Sequence, residues 1–63
     1  MKFSVGDGVK KITGYQYFGV VVAAFKTIKG GDRYVVESTS HGSNGMLFIF
    51  NDTQLEVNHA DPR

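Results

Sequence analysis

The stretch Gly45–Phe50, GMLFIF, sets five large apolar side chains in an unbroken row inside a chain of only 63 residues. A strand on the surface of a small protein normally alternates one apolar and one polar face. Here Met46, Phe48 and Phe50 fall on one face and Leu47 and Ile49 on the other. The run Val20–Phe25 repeats the pattern, with Val20, Val22 and Ala24 on one face and Val21, Ala23 and Phe25 on the other. A chain this short builds one interior, so each strand can give that interior only one of its faces. Two strands that are apolar on both sides therefore predict an outer apolar patch of a few hundred Å², close to the largest that a soluble monomer exposes. At ~25 cal/mol per Å², covering it contributes several kcal/mol per chain. The expected cover is another copy of the chain, as a homodimer or homotetramer.

The rest of the chain fixes the fold class. No 3.6-residue apolar period is sustained for the ~10–12 residues a helix needs. Short β-rich runs alternate instead with glycine-marked turns. Strands are expected in Asp7–Thr13, Phe18–Ile28, Arg33–Ser38, Met46–Phe50 and Leu55–Val57. They are joined by the hairpin turn KGGD (Lys29–Asp32), the polar loop TSHGSNG (Thr39–Gly45) and the tight turn NDTQ (Asn51–Gln54). The expected fold is all-β: a small five-stranded SH3-like barrel with a short 3-10 turn before the last strand, spanning residues 1–58, with 59–63 as a flexible C-terminal tail.

Composition narrows the function classes. There is no cysteine, and His41 and His59 lie in different segments, so neither disulfides nor a structural metal site is expected. Seven Lys+Arg against six Asp+Glu give no general case for nucleic acid. Lys10, Lys11, Lys26, Lys29 and Arg33 read as ordinary solvated charges, interspersed with Asp32, Glu37, Asp52 and Glu56. No run is long enough to span a bilayer and the first residues lack an apolar signal-peptide core, so the expected setting is the cytoplasm of a bacterium or phage. The aromatic cluster GYQYFG (Gly14–Gly19) reads as a core cap and subunit contact ahead of a peptide-gripping loop. No nucleophile–base pair or catalytic carboxylate pair is visible.

The motifs VGDGVKKITGYQYFGVVVAAF, YVVES with a following histidine, and GMLFIF…QLE resemble the plasmid-encoded type II, trimethoprim-resistant dihydrofolate reductases, over about Val5 to Glu56. That resemblance implies an SH3-like barrel, a homotetramer and a central pore in which NADPH and dihydrofolate meet without a protein general acid. It implies pore positions at Lys11, which would attract anionic groups, and at Phe48, Ile49 and Phe50. The two doubly apolar strands give an interface drawn from Val20, Val22, Ala24, Met46, Phe48 and Phe50, to which the resemblance adds Tyr17 and His41, with His41 making assembly pH-dependent. The family's strand reads Ser-Val-Gln-Ile-Tyr where this chain has Met46-Leu47-Phe48-Ile49-Phe50, so the central amide and hydroxyl are lost. An orienting polar group missing from a buried site costs roughly 1–3 kcal/mol. The expected function is therefore a homo-oligomeric structural or ligand-binding module, with possible small anionic ligands and no assigned catalytic residue. The alternatives are an NADPH-dependent dihydrofolate reductase and, behind it, a peptide- or nucleic-acid-binding module.

Overall fold

The computed structural model describes residues 2–14 and 17–58. The expected tail 59–63, His59 and the Tyr15–Gln16 part of the aromatic cluster lie outside the described residues. The chain is all-β, with β1 (Gly8–Lys11), β2 (Phe18–Lys26), β3 (Asp32–Ser38), β4 (Leu47–Asn51), a 3-10 turn over Asp52–Gln54 and β5 (Leu55–Val57). The strands form one antiparallel sheet in the order β4-β3-β2-β1-β5. Strand β4 is thus one edge and the three-residue β5 the other.

The turns show why the chain reverses where it does. Gly30 takes φ 89° in the β2–β3 hairpin, a left-handed conformation that only glycine adopts without steric cost. The Thr27 hydroxyl there accepts the Gly31 N–H at 3.0 Å. After β4, Asn51 stops the strand. Its side chain accepts the N–H groups of Thr53 and Gln54, at 3.0 and 3.1 Å, while the Gln54 amide oxygen accepts the Asn51 N–H at 2.9 Å. This reciprocal cap satisfies the donors that a helical turn leaves open at its start.

One side of the sheet holds the core: Phe3, Val9, Tyr17, Val21, Tyr34, Val36, Phe50 and Leu55, with Ala24 and Phe48 packed against it. Two features of this core depart from the expected face assignment. The β2–β3 register shifts between Val21 and Ala23, leaving Val22 as the extra residue of a bulge. Beyond it the alternation is reversed. Ala24 joins Val21 inside, while Ala23 and Phe25 join Val20 outside, so Val20, Val22 and Ala24 do not share a face. In β4, Phe48 and Phe50 point into the chain's own core and Leu47 and Ile49 point out. Tyr17 fixes this choice. Its ring meets Phe48 and Phe50 edge-on, at centroid distances of 5.0 and 5.3 Å, and its hydroxyl donates to the Val36 carbonyl at 3.1 Å.

The core is completed by residues ahead of β1. Phe3 is buried and stands edge-on to Tyr34, with centroids 5.2 Å apart. The Tyr34 hydroxyl accepts the backbone N–H groups of Lys2 and Phe3, at 2.9 and 3.4 Å. A tight turn follows, in which Asp7 accepts the Ser4 N–H at 2.9 Å and Gly6 N–H reaches the Val21 carbonyl at 2.8 Å.

Two substitutions test this packing. Phe3→Ala removes a core ring and should cost ~3–5 kcal/mol, about all that a core of this size supplies. Urea titration should find the variant largely unfolded at 37 °C. Gly19→Ala should be nearly as damaging, because a Cβ at Gly19 would lie 2.5 Å from both the Glu37 carbonyl oxygen and a Val36 methyl. A backbone atom of a paired strand cannot move aside, so a loss of ~1–3 kcal/mol and a melting point lowered by roughly 4–8 °C per kcal/mol are expected in a thermal scan.

Candidate functional site: an outer apolar face beside a lysine-lined groove

The register lays out the side of the sheet that turns away from the core. Across β2, β3 and β4 run three rows of facing residues: Ala23–Val35–Ile49, Val20–Glu37–Leu47 and Phe25–Arg33–Asn51. The central row is wholly apolar. Ile49 is 63% exposed, Leu47 59%, and Met46, just ahead of β4, 52%. Phe25 and Val22 are also exposed, Val22 because the bulge turns it outward. Lone exposed apolar residues are ordinary, but a connected set on one face marks a contact surface. Charge sits only at its margins, on Arg33 and Glu37.

The same side of the sheet continues into β1 and β5. Lys10 faces Phe18 on β2 and Glu56 on β5. Its ammonium lies 3.6 Å from the Glu56 carboxylate. Around the end of β1 a groove of about 220 Å³ is bounded by Lys10, Lys11, Ile12, Gly14, Tyr17, Phe18 and Glu56. Gly14 takes φ 84°, and a Cβ there would come within 3.3 Å of the Lys11 ammonium, so the bare glycine lets the lysine lie against the turn. The groove combines a cationic wall with an apolar and aromatic one, a chemistry that suits a small anion carrying a flat or apolar part.

The residues singled out from the sequence fall into separate places. Lys11 lines the groove. Met46 is exposed just ahead of β4 on the side that Phe48 and Phe50 share, while Ile49, Val20 and Val22 belong to the outer face. Phe48, Phe50, Tyr17 and Ala24 do not reach that face. They fill the interior of the chain, because one face of β4 and of β2 has to close over Val21, Val36 and Tyr34. His41 is exposed in the β3–β4 loop, away from the core. That loop is held by buried Ser38, whose hydroxyl contacts the Ser43 hydroxyl at 2.9 Å and accepts the Ser40 N–H at 3.1 Å. Phe3 went unnoticed in the sequence, being a single aromatic in a polar segment ahead of the first strand. Val35 was missed as a member of the outer face, because its strand reads as an ordinary one-sided alternation around Tyr34 and Val36.

Lys10, Lys26 and Arg33, among the cations noted in the sequence, have acidic or carbonyl partners within the fold. Lys10 faces Glu56, Lys26 donates to Asp32 at 2.6 Å, and Arg33 Nη1 donates to the Asp32 carbonyl at 2.8 Å. No continuous basic stripe results. Among the described residues no three His, Asp or Glu side chains converge on a point where a metal could sit, and no helix is long and apolar enough to cross a membrane. No protein-family model, characterised protein or solved structure matches the chain.

The hydrogen bond from Lys26 holds the Asp32 carboxyl below the usual carboxylate range, and the same contact raises Lys26 above the ordinary lysine value. The lowered Asp32 value means that the pair stabilises the hairpin above the ordinary aspartate pKa and that this contribution is lost as pH falls through the depressed one. The raised Lys26 value places the alkaline loss above the ordinary lysine range. A carboxyl-detected NMR titration should give Asp32 a midpoint below that of an unpaired aspartate, and Lys26→Ala should move it back up.

Proposed function

We propose that this chain acts as an assembly of identical copies, a binding module rather than an efficient catalyst, and that the groove beside Lys10 and Lys11 takes a small anionic ligand. The observation that carries this reading is the outer face of β2, β3 and β4. Its central row, Ala23–Val35–Ile49, has no polar side chain, and it is flanked by Leu47 and Phe25, both exposed. Covering a face of this kind is worth several kcal/mol at ~25 cal/mol per Å², a large share of the stability of so small a domain. The resemblance to the type II dihydrofolate reductases supports the same reading. In it the sheet curls into an SH3-like barrel and the copies associate as a dimer or tetramer.

The placement of Phe48 and Phe50 weighs against efficient reduction of dihydrofolate. Where a polar amide and hydroxyl would orient two flat rings, this chain has two phenyl rings packed against Tyr17. Catalysis by orientation alone depends on such groups being fixed and available.

Light scattering at millimolar concentration should give a mass of at least two chains. Ile49→Asp, which buries a carboxylate in the contact, should weaken association at least ~100-fold, equivalent to ~3 kcal/mol. A monomer mass for the unchanged chain would sink the assembly reading. Calorimetric titration with NADPH should show weak binding that Lys11→Ala lowers. Steady turnover of dihydrofolate with NADPH would favour the reductase reading instead.

A further inference from the structure

β4 is an edge strand. Among the described residues it pairs with β3 alone, whereas the opposite edge, β5, is only three residues long. Natural edge strands are commonly blunted by lysine, proline, a bulge or shortness. β4, Leu-Phe-Ile-Phe-Asn, carries none of the first three and is five residues long.

The hydrogen-bond alternation shows which backbone groups the edge offers. Ser38 N–H donates to the Met46 carbonyl at 2.7 Å, so the β3 residues that turn their backbone toward β4 are Ser38, Val36 and Tyr34. In an antiparallel ladder the residues opposite them, Phe48 and Phe50, return the bonds. Leu47, Ile49 and Asn51 therefore turn their N–H and C=O groups to the open side. Asn51 gives an independent sign of this, since its N–H is taken by the Gln54 side chain rather than by β3.

We propose that β4 pairs antiparallel with β4 of a second copy, about a two-fold axis through Ile49. The inference rests on the reading that copies associate and specifies the contact that joins them. In this register Ile49 faces Ile49 and exchanges both hydrogen bonds with it. Leu47 faces Asn51 of the second copy and donates its N–H to the Asn51 carbonyl, which has a second lone pair beside the one that the capping turn uses. The apolar row then runs unbroken through both chains, as Ala23–Val35–Ile49–Ile49–Val35–Ala23. The row bearing Glu37 and Leu47 continues into the row bearing Asn51 and Arg33, so the acidic end of one face meets the basic end of the other. Hydrophobic pattern, hydrogen-bond phase and charge agree on one register. A slip of one residue would set core-facing Phe48 opposite solvent-facing Ile49 and lose all three.

The test is amide hydrogen exchange by NMR on the full chain, at low micromolar and at millimolar concentration, alongside sedimentation. The amides of Phe48 and Phe50, bonded to β3, serve as an internal control and should stay protected throughout. The expected result is that the Leu47 and Ile49 amides exchange fast in the dilute sample and slow at least tenfold when concentrated, as the mass doubles. Ile49→Lys should abolish that slowing while leaving Phe48 and Phe50 protected. A doubled mass without protection at Leu47 and Ile49 would overturn edge pairing and leave association through the apolar face standing. A monomer at both concentrations would overturn both.

Discussion

The hydroxyl of Tyr34 is the interaction on which the rest of the chain leans. Tyr34 is wholly buried at the middle of β3, so its phenol has no access to water. A buried hydroxyl without a partner costs on the order of 1–3 kcal/mol, a serious loss in a domain of this size. The partners are the backbone N–H groups of Lys2 and Phe3. Satisfying one phenol therefore draws the segment ahead of β1 across the open side of the sheet and delivers the Phe3 ring to the core. Tyr17 repeats the arrangement at the other end, donating to the Val36 carbonyl while its ring holds Phe48 and Phe50 inward. Two tyrosines each supply apolar area and a polar tip, and each tip is tied to backbone. Among the described residues no buried side-chain polar atom lacks a partner.

With the interior filled by these rings, the outer side of β2, β3 and β4 is left apolar by default. The site reading follows from that allocation. Large aromatics close a small core efficiently, and Val20, Ala23, Val35, Leu47 and Ile49 are surplus to it. The groove at Lys11 has a different origin. It exists where β1 ends and the chain turns through Gly14, and its character comes from two consecutive lysines that alternate across the strand. One pairs with Glu56 on the outer side. The other lies against the glycine turn.

Much of the fold is legible in the sequence because glycine and asparagine mark its reversals. The expected strands overlap all five that form, and NDTQ does make the 3-10 turn. The allocation of faces is less legible, for an identifiable reason. In Val20–Phe25 every residue suits a strand on either face, and no glycine or proline signals the extra residue at Val22. In Met46–Phe50 the alternation separates the right sets, but both are apolar, so hydrophobicity cannot say which is inside. The decision is made by partners distant in sequence, Tyr17 and Tyr34. For the candidate site, Ile49 and Lys11 were visible from the sequence, whereas Val35 and the edge geometry of β4 require the register itself.

The bulge at Val22 makes one residue of β2 dispensable to the ladder. Strand β2 presents Val21 inward on one side of the bulge and Ala24 inward on the other, and only the additional residue reconciles the two. Deleting Val22 would remove no charge, no glycine and no core ring, and would leave Val21 and Ala24 inward and Ala23 and Phe25 outward on a regular ladder. Straightening the strand with Val22 still in place would do the opposite, sending Phe25 toward a space shaped for alanine and Ala24 toward solvent. What the extra residue adds is a local twist and one more exposed apolar side chain, so its contribution is to the contact surface and not to the interior.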